Sequence, residues 1–294
     1  MTATAPQLAS SPNQIHGGTE LGCLRNFLSN RFVYVLVSPR ARGLSVGVNV
    51  NPDKECNFNC AYCEVDRRIS AKARLDLDVM AAELQMTLAS IASGELLQQP
   101  LYQKLAPEFA KLRHVALSGD GEPTLSDQFL EVVEAVMHLR ARSALPFFKV
   151  VLITNASRLA EQPVRAALQL FTSRDEIWAK LDAGSPAYLK IVNSPEVPLE
   201  TILSNILSVA QLRPVIIQSL FPLLDGRGPH PDEIKAYIAA LKNLQQRGAK
   251  ISLVQIYSAN RPPANPRCSH LSLRTLSSIA RAVREETGLN AQVF

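Results

Sequence analysis

The sequence predicts an α/β protein whose parallel sheet forms an open, partial (β/α)6 barrel. Six short runs rich in Val, Ile and Leu follow residue 44 without strict polar alternation, a pattern typical of strands covered on both faces. A longer segment with helical periodicity follows each run, so successive strands are joined by right-handed crossovers and lie parallel. Six strands are too few for the closed eight-stranded barrel, and a doubly wound open sheet is the alternative.

Each element is assigned from its own residue pattern. The strands are predicted at 44–50, 114–119, 149–154, 176–181, 214–220 and 250–257. The helices are predicted at 76–93, 126–142, 158–171, 198–211, 232–247 and 272–286. The first helix begins after a candidate cap at Asp76, and the last begins after Ser272 and stops at Gly288. Ligands are expected at the edge where the carboxyl ends of the strands meet.

Length and composition indicate one folded domain with a short N-terminal extension. The chain has 294 residues, of which 47% are hydrophobic, and this excludes a wholly disordered chain. Residues 44–294 are assigned to the core domain and 1–43 to the extension, which starts disordered and contains a candidate edge strand at 31–37. We expect a cytoplasmic protein, because neither a membrane span nor a signal peptide is recognisable. The net charge of +5 suits an anionic partner and equally an ordinary basic enzyme.

Three of the five cysteines form the strongest chemical signal. Cys56, Cys60 and Cys63 have the spacing C-x3-C-x2-C directly after the first predicted strand. This grouping is a poor disulfide framework, and soft thiolates favour zinc, copper(I) or an iron–sulfur cluster. A structural zinc site needs four ligands, and no fourth Cys or His lies nearby in the sequence. Three ligands on a four-iron cluster would leave one iron open for a substrate or cofactor, which favours catalysis.

The cysteine motif, with Tyr62 just before its last cysteine, resembles that of the radical S-adenosylmethionine (SAM) superfamily, whose fold is a six-stranded partial barrel. The resemblance implies that Cys56, Cys60 and Cys63 bind one [4Fe–4S] cluster and that Tyr62 lies at the cofactor site. It also implies that the open iron binds the amino and carboxylate groups of SAM. One electron would then cleave SAM to methionine and a 5′-deoxyadenosyl radical, which abstracts hydrogen from a substrate.

A second motif, SGDGEPTL at 118–125, follows the second predicted strand. Its glycines permit a close backbone approach, and its exposed edge and carboxylate can take an ammonium group. The resemblance implies that Gly119, Gly121 and Glu122 contact the amino group of SAM. We therefore expect Glu122→Ala to weaken SAM binding and to spare the cluster. A turn without a ligand is the structural alternative.

Polar residues also follow the later strands, at the edge where ligands are expected. Asn155 comes after the third strand, Asp182 after the fourth, and Gln218 near the end of the fifth. The resemblance implies that such positions contact the ribose, carboxylate or adenine of SAM. Capping of helices and turns is the structural alternative for Asn155 and Asp182.

Basic residues flanking the cysteine motif in the sequence predict a partner surface. The predicted rim would bind phosphate or an acidic electron donor such as flavodoxin or ferredoxin, and its members are Arg40, Arg42, Arg67, Arg68, Lys72 and Arg74. A solvated charged face is the alternative. The proline-rich loop at 260–270 is expected to cover the barrel mouth, and Cys268 and His270 within it are expected to be incidental.

Within the superfamily, the chain resembles the Fe–S oxidoreductase group related to wyosine-type tRNA-modifying enzymes. The segments that support this are NPDKECNFNCAYCEVDR, SGDGEPTL, KLDAGSPAYLKIVN and QIYSANRPPA. Only Cys23 precedes the motif, so a second cluster is not expected. The resemblance implies that the substrate is tRNA or another anionic molecule. A radical-generating activase of a partner protein and a non-catalytic, metal-stabilised RNA-binding module are the alternatives.

Overall fold

A mostly parallel sheet organises the computed structural model, which describes residues 29–38, 40–65, 73–142, 145–259 and 265–294. Its strands are β1 (Val33–Ser38), β2 (Gly43–Asn49), β3 (Leu112–Ser118), β4 (Lys149–Thr154), β5 (Glu176–Lys180), β6 (Val215–Leu220), β7 (Pro222–Leu224), β8 (Ile251–Tyr257), β9 (Cys268–His270) and β10 (Ala291–Val293). The main sheet has the order β1-β2-β3-β4-β5-β6-β8-β10, and β7 pairs with β9. All neighbours from β2 to β10 in the main sheet are parallel, which confirms the six predicted strands as its core.

Helices lie between the strands along the chain. Those in the described residues are α1 (Leu77–Ala92), α2 (Phe129–Ala141), α3 (Gln162–Gln169), α4 (Pro186–Val192), α5 (Leu199–Ala210), α6 (Pro231–Gln246) and α7 (Leu273–Thr287). The predicted end signals are confirmed: Asp76 accepts a hydrogen bond from the Val79 amide at 3.1 Å, and Gly288 ends α7 with φ 71°. The sequence pattern did not predict α4, because seven residues are too few to show helical periodicity.

The sheet has an outer and an inner apolar layer. Val46, Leu117 and Val150 belong to the large core that packs against the helices. Alternate positions face the other way, and Val151, Trp178 and Ile216 form a separate buried cluster on the inner face. A parallel sheet buried on both faces fits a barrel and a doubly wound sheet alike, but the strands here follow one another in chain order without the reversal of a doubly wound sheet, so the predicted partial barrel is confirmed.

Both edges of the main sheet have additional strands. β1 runs antiparallel to β2 and overlaps the candidate strand at 31–37. The Glu83 carboxylate of α1 accepts hydrogen bonds from the amides of Arg31, Phe32 and Val33, which fastens the entry to β1. At the other edge, β10 pairs with β8 over three residues, which is too short a pairing to predict from alternation. The predicted disordered start and Cys23 lie outside the described residues.

The parallel strands give the barrel two distinct ends. We call the end at which β2–β6 and β8 finish the carboxyl mouth, and the end at which they begin the amino mouth. Strands of five to seven residues separate the two mouths by about 20 Å, since each residue of a parallel strand rises about 3.3 Å. Within the described part of the chain, we find no helix long and apolar enough to span a bilayer.

Candidate cofactor site

The cysteine loop (51–65) leaves the end of β2 at the carboxyl mouth and is fastened to the segment that follows α4. The Asn59 amide donates to the Asn193 carbonyl at 2.9 Å, and the Ala61 amide donates to the Val192 carbonyl at 2.7 Å. Phe58, which is buried, forms a β-bridge with Pro195. The shape of the loop around the cysteines therefore depends on a helix end that lies more than 130 residues away in the sequence.

The SGDGEPTL motif packs directly on the cysteine loop. The Glu122 amide donates to the Glu55 carbonyl at 2.9 Å. A side chain on Gly121 would overlap that carbonyl oxygen, and one on Gly119 would overlap Asn49. Gly119 also has φ 140°, a conformation that glycine adopts without strain. Gly121 is therefore needed for the close contact between the two motifs, and Gly119 for the contact with the end of β2.

Glu122 has a structural role that its motif alone does not reveal. Its side chain is 3% exposed, and its carboxylate accepts hydrogen bonds from the amide and hydroxyl of Thr124, the hydroxyl of Thr154 and the amide of Asn155. Burial raises the pKa of this carboxyl above its ordinary value, and the hydrogen bonds only partly offset the effect. Glu122 thus joins the ends of β3 and β4, and a ligand would meet mainly the backbone of this loop.

A second polar group lies around Asp182 on the opposite side of the cysteine loop. Tyr62 donates its hydroxyl proton to the Asp182 carboxylate, and Lys180 lies 3.3 Å from the other carboxylate oxygen. The Leu220 amide at the end of β6 also donates to Asp182 at 2.8 Å. Because Asp182 is 2% exposed, these contacts compensate a carboxylate that has lost its water. The same contacts fix the ring of Tyr62 beside the cysteines.

Asn193 connects this acidic group to a cysteine. Its amide nitrogen lies 2.8 Å from Asp182, 3.0 Å from the hydroxyl of Tyr62 and 3.3 Å from the sulfur of Cys60. The sequence pattern did not predict a role for Asn193, although this residue ends the segment KLDAGSPAYLKIVN. Only the folded structure reveals this contact, because α4 ends at Asn193 and brings that residue to the cysteine loop.

Burial and neighbouring charges shift the pKa values of Lys180 and Cys60 in this group. Burial alone would lower the pKa of Lys180, but the neighbouring Asp182 carboxylate raises it above its ordinary value, so the ammonium form persists. Burial raises the pKa of Cys60 to about 12, and Asp182 adds to the shift. A thiol in such a position becomes a thiolate when a metal binds it and supplies the compensating positive charge.

The two remaining predicted SAM-binding residues, Asn155 and Gln218, lie at different positions in the barrel. Asn155 donates from its side-chain nitrogen to the side-chain oxygen of Asn57 at 2.9 Å, so it supports the cysteine loop. Gln218 lies in the lumen, where its side chain donates to Gln255 at 2.9 Å, and it pairs with Lys180 across β5 and β6. The structure therefore brings Tyr62 and Asp182 together beside Cys60, and Asn155 together with Glu122.

The predicted basic rim is wrong for Arg42, whereas the guanidinium of Arg40 reaches from the same turn into the lumen, 4.4 Å from the ring of Tyr257 at the end of β8. Both lie on the turn that precedes β2, at the amino mouth, whereas the cysteine loop follows the other end of that strand. Proximity in the sequence was misleading because a whole strand separates the two positions. Arg74 is exposed just before α1, and Arg67, Arg68 and Lys72 lie outside the described residues, as do positions 260–264 of the predicted covering loop.

The chemistry of the donor set fits an iron–sulfur cluster. Cys56, Cys60 and Cys63 lie half-buried on one loop, and Cys60 has a hydrogen-bond donor at its sulfur. Soft thiolates are the ligands of such clusters, and hydrogen bonds to the sulfurs are one of the features that set their properties.

Comparison with known proteins agrees with this chemistry. Residues 50–238 match the family model of the radical SAM superfamily. The chain belongs to this superfamily. Members are enzymes that use SAM and a [4Fe–4S] cluster, and these are therefore the cofactors of the chain.

Its sequence relatives include two UPF0026 proteins. The protein slr1464 of Synechocystis sp. is 29% identical over 61% of this chain and 59% of its own length. A UPF0026 protein of Helicobacter pylori strain J99 is 26% identical over 79% of this chain and 68% of its own length. The chain thus spans about three-fifths of the Synechocystis relative.

Solved structures share the fold at low identity. A structure of TYW1 with a lysine–pyruvate adduct bound has a TM-score of 0.54 at 14% identity, covering 87% of this chain and 84% of that one. Streptococcus suis SuiB bound to SAM has a TM-score of 0.57 at 13% identity, covering 88% of this chain and 51% of that one. Both likenesses confirm the predicted barrel.

Proposed function

We propose that Cys56, Cys60 and Cys63 ligate one [4Fe–4S] cluster, and that the chain is an oxidoreductase-like enzyme that cleaves SAM reductively. The observation that supports this most strongly is the meeting of three elements at the carboxyl mouth. The SGDGEPTL motif and the Asp182 group both contact the cysteine loop there, although the three elements are far apart in the sequence. When bound, the cluster supplies one electron, and SAM supplies a 5′-deoxyadenosyl radical that abstracts hydrogen from the substrate.

The Asp182 group positions the cysteine loop in this proposal. Asn193 donates toward the Cys60 sulfur, and hydrogen bonds to cluster sulfurs are one of the means by which a protein sets the reduction potential. Tyr62 closes the loop over Asp182, so that water is excluded from this carboxylate. Tyr62 and Asp182 are also the proposed SAM-binding residues of this group.

The other SAM contacts are assigned to the SGDGEPTL side. The backbone at Gly119 and Gly121 is available there, and the Glu122 carboxylate is held against the end of β4. Asn51, which contacts the position of Gly121, has a buried side-chain oxygen without a donor among the described residues. An ammonium group is the kind of donor that such an oxygen requires. Asn155 and Gln218 remain the proposed contacts on the later strands.

The proposed substrate is an anionic molecule. The net charge of +5 and the resemblance to wyosine-type tRNA-modifying enzymes make tRNA one candidate. The proposed reductant is a small electron-transfer protein such as flavodoxin or ferredoxin.

Reductive cleavage of SAM tests the proposal. The protein is reconstituted anaerobically with iron and sulfide, reduced with dithionite and mixed with SAM, and 5′-deoxyadenosine is measured by chromatography. We expect about four irons per chain and SAM-dependent 5′-deoxyadenosine. Cys60→Ala should lose both, whereas Cys268→Ala, which removes a buried cysteine on β9, should keep both. A wild-type chain that holds one zinc and releases no 5′-deoxyadenosine would overturn the proposal.

A further inference from the structure

A cavity of about 370 Å³ opens at the amino mouth, at the opposite end of the lumen from the cysteine loop. Residues at the starts of β3, β4 and β5 form its rim, and Trp178, Ile216 and Leu253 form an apolar wall. Its size lies in the range of pockets that hold small molecules. Nothing in the proposed cofactor chemistry uses this end of the barrel.

The rim of the cavity has an excess of positive charge. Arg40, Arg113 and Lys149 line it together with a single carboxylate, Glu176. Both oxygens of Glu176 already have donors: Lys149 lies 2.6 Å from one, and the indole nitrogen of Trp178 lies 2.8 Å from the other. The Glu176 carboxylate is therefore already hydrogen-bonded within the protein. The apolar walls of the cleft strengthen the positive electrostatic potential of the remaining cations.

Arg40 is the cation best placed to bind a ligand. It is half-buried, and its guanidinium lies 4.4 Å from the centre of the Tyr257 ring. Stacking on Tyr257 uses the face of the guanidinium and leaves free the N–H groups that point outward in its plane. The described residues offer these N–H groups no acceptor within hydrogen-bonding distance. A planar fork of N–H groups is the geometry that recognises carboxylate and phosphate oxygens.

The cavity also leads toward the proposed cofactor residues. Its inner lining includes Gln255, which accepts the hydrogen bond from Gln218. Tyr257, on which Arg40 stacks, accepts a hydrogen bond from Lys180 at 3.0 Å, and Lys180 pairs with Asp182. A molecule held by its anionic end at Arg40 would therefore extend up the lumen toward the carboxyl mouth.

We propose that this cavity binds the oxyanion group of the substrate, a phosphate or carboxylate on a small molecule, with Arg40 as its main ligand. The inference rests on the proposed function, because that function requires a substrate whose reacting end reaches the carboxyl mouth. It narrows the substrate from any anionic molecule to one that fits about 370 Å³.

The single tryptophan of the chain gives a direct readout, since Trp178 lines the cavity. Reconstituted protein is titrated anaerobically with inorganic phosphate and, separately, with acetate, and tryptophan fluorescence and calorimetry are recorded. We expect saturable binding of one of the two anions, which identifies the group. Arg40→Gln should weaken it about tenfold or more, the size of a lost charge-assisted hydrogen bond, and Arg40→Lys should weaken it less.

Arg42→Gln is the matched control, because Arg42 is an exposed arginine on the same turn and does not line the cavity. Equal weakening in both glutamine variants, or no saturable binding of either anion, would overturn the inference. Circular dichroism verifies that each variant is folded. The 5′-deoxyadenosine assay of the wild type tests the proposed function separately. If 5′-deoxyadenosine forms but no anion binds, the proposed function stands and the anion site in the cavity is ruled out. If an anion binds but no 5′-deoxyadenosine forms, the cavity is an anion site without a role in substrate binding.

Discussion

The two mouths of the barrel each contain a buried carboxylate that joins neighbouring elements, and the two carboxylates are compensated differently. At the amino mouth, Asp175 accepts two hydrogen bonds from the Arg140 guanidinium, at 2.6 and 3.0 Å, and others from the amides of Val150 and Thr172. At the carboxyl mouth, Glu122 accepts bonds from amides and hydroxyls only, and none of the ion pairs found in the described residues involves it.

The difference appears in the titration of the two groups. Burial alone would raise the pKa of Asp175, but the hydrogen bonds from Arg140 and the neighbouring amides lower it below its ordinary value. Burial raises the pKa of Glu122, because dipoles without a cation compensate only part of the lost hydration. Asp175 is therefore a stabilising element of the fold. Glu122 has no cationic partner among the described residues, as expected where a cationic ligand binds.

The largest loss of stability is predicted at the amino mouth. Asp175→Ala leaves Arg140 buried without its counter-ion and should lower the free energy of unfolding by about 3–5 kcal/mol. Urea unfolding measures this change, with Asp127→Ala, an exposed position, as the control that should change little. If Asp175→Ala lowered the free energy of unfolding as little as the control does, the buried carboxylates of the two mouths would not differ in the way described.

A smaller loss is expected at the carboxyl mouth. Glu122→Gln keeps the shape of the side chain but presents an NH2 group to donors, so at least one buried hydrogen bond is lost. The free energy of unfolding should fall by about 2–3 kcal/mol. Glu134→Gln, on an exposed position of α2, is the matched control. If Glu122→Gln instead stabilised the apo protein without weakening SAM, Glu122 would have no part in the site.

The smallest effect concerns the pH dependence of stability at the amino mouth. His114 donates to or accepts from Ser45 at 2.8 Å, and burial together with the nearby Lys149 and Arg40 lowers its pKa to about 3. Between about pH 6.5 and 3 the unfolded chain binds a proton that the folded chain does not, so stability falls as the pH falls. From pH 7 to 5 this contributes a loss of about 2 kcal/mol.

His114→Gln should remove that part of the pH dependence, because glutamine retains a hydrogen-bonding group for Ser45 and does not titrate. Urea unfolding at pH 7 and pH 5 measures it for the wild type, for His114→Gln and for the exposed control His270→Gln. Parallel pH dependence in all three proteins would show that His114 is not held neutral by its surroundings.

The parts of the site that could be predicted from the sequence are those with local signals. The cysteine spacing, the two glycines of SGDGEPTL and the polar ends of the strands all lie within a few residues of a recognisable strand. Asn193 was missed because its contact with Cys60 joins residues 133 positions apart through a helix too short to show periodicity. Arg42 was placed at the wrong mouth because a distance along the chain does not show on which side of a strand a residue lies. The amino-mouth cavity has no motif, since cations from two strands and a turn form it only after the sheet curves.

The most direct test of the account is the electron paramagnetic resonance spectrum of the reconstituted, dithionite-reduced protein before and after addition of SAM. Three thiolates leave one iron open, so SAM should change the spectrum of a [4Fe–4S] cluster in the wild type and in Cys268→Ala. Cys60→Ala should show no cluster signal. A wild-type cluster whose spectrum is the same with and without SAM would contradict the claim that the carboxyl mouth joins the cluster and SAM in one site.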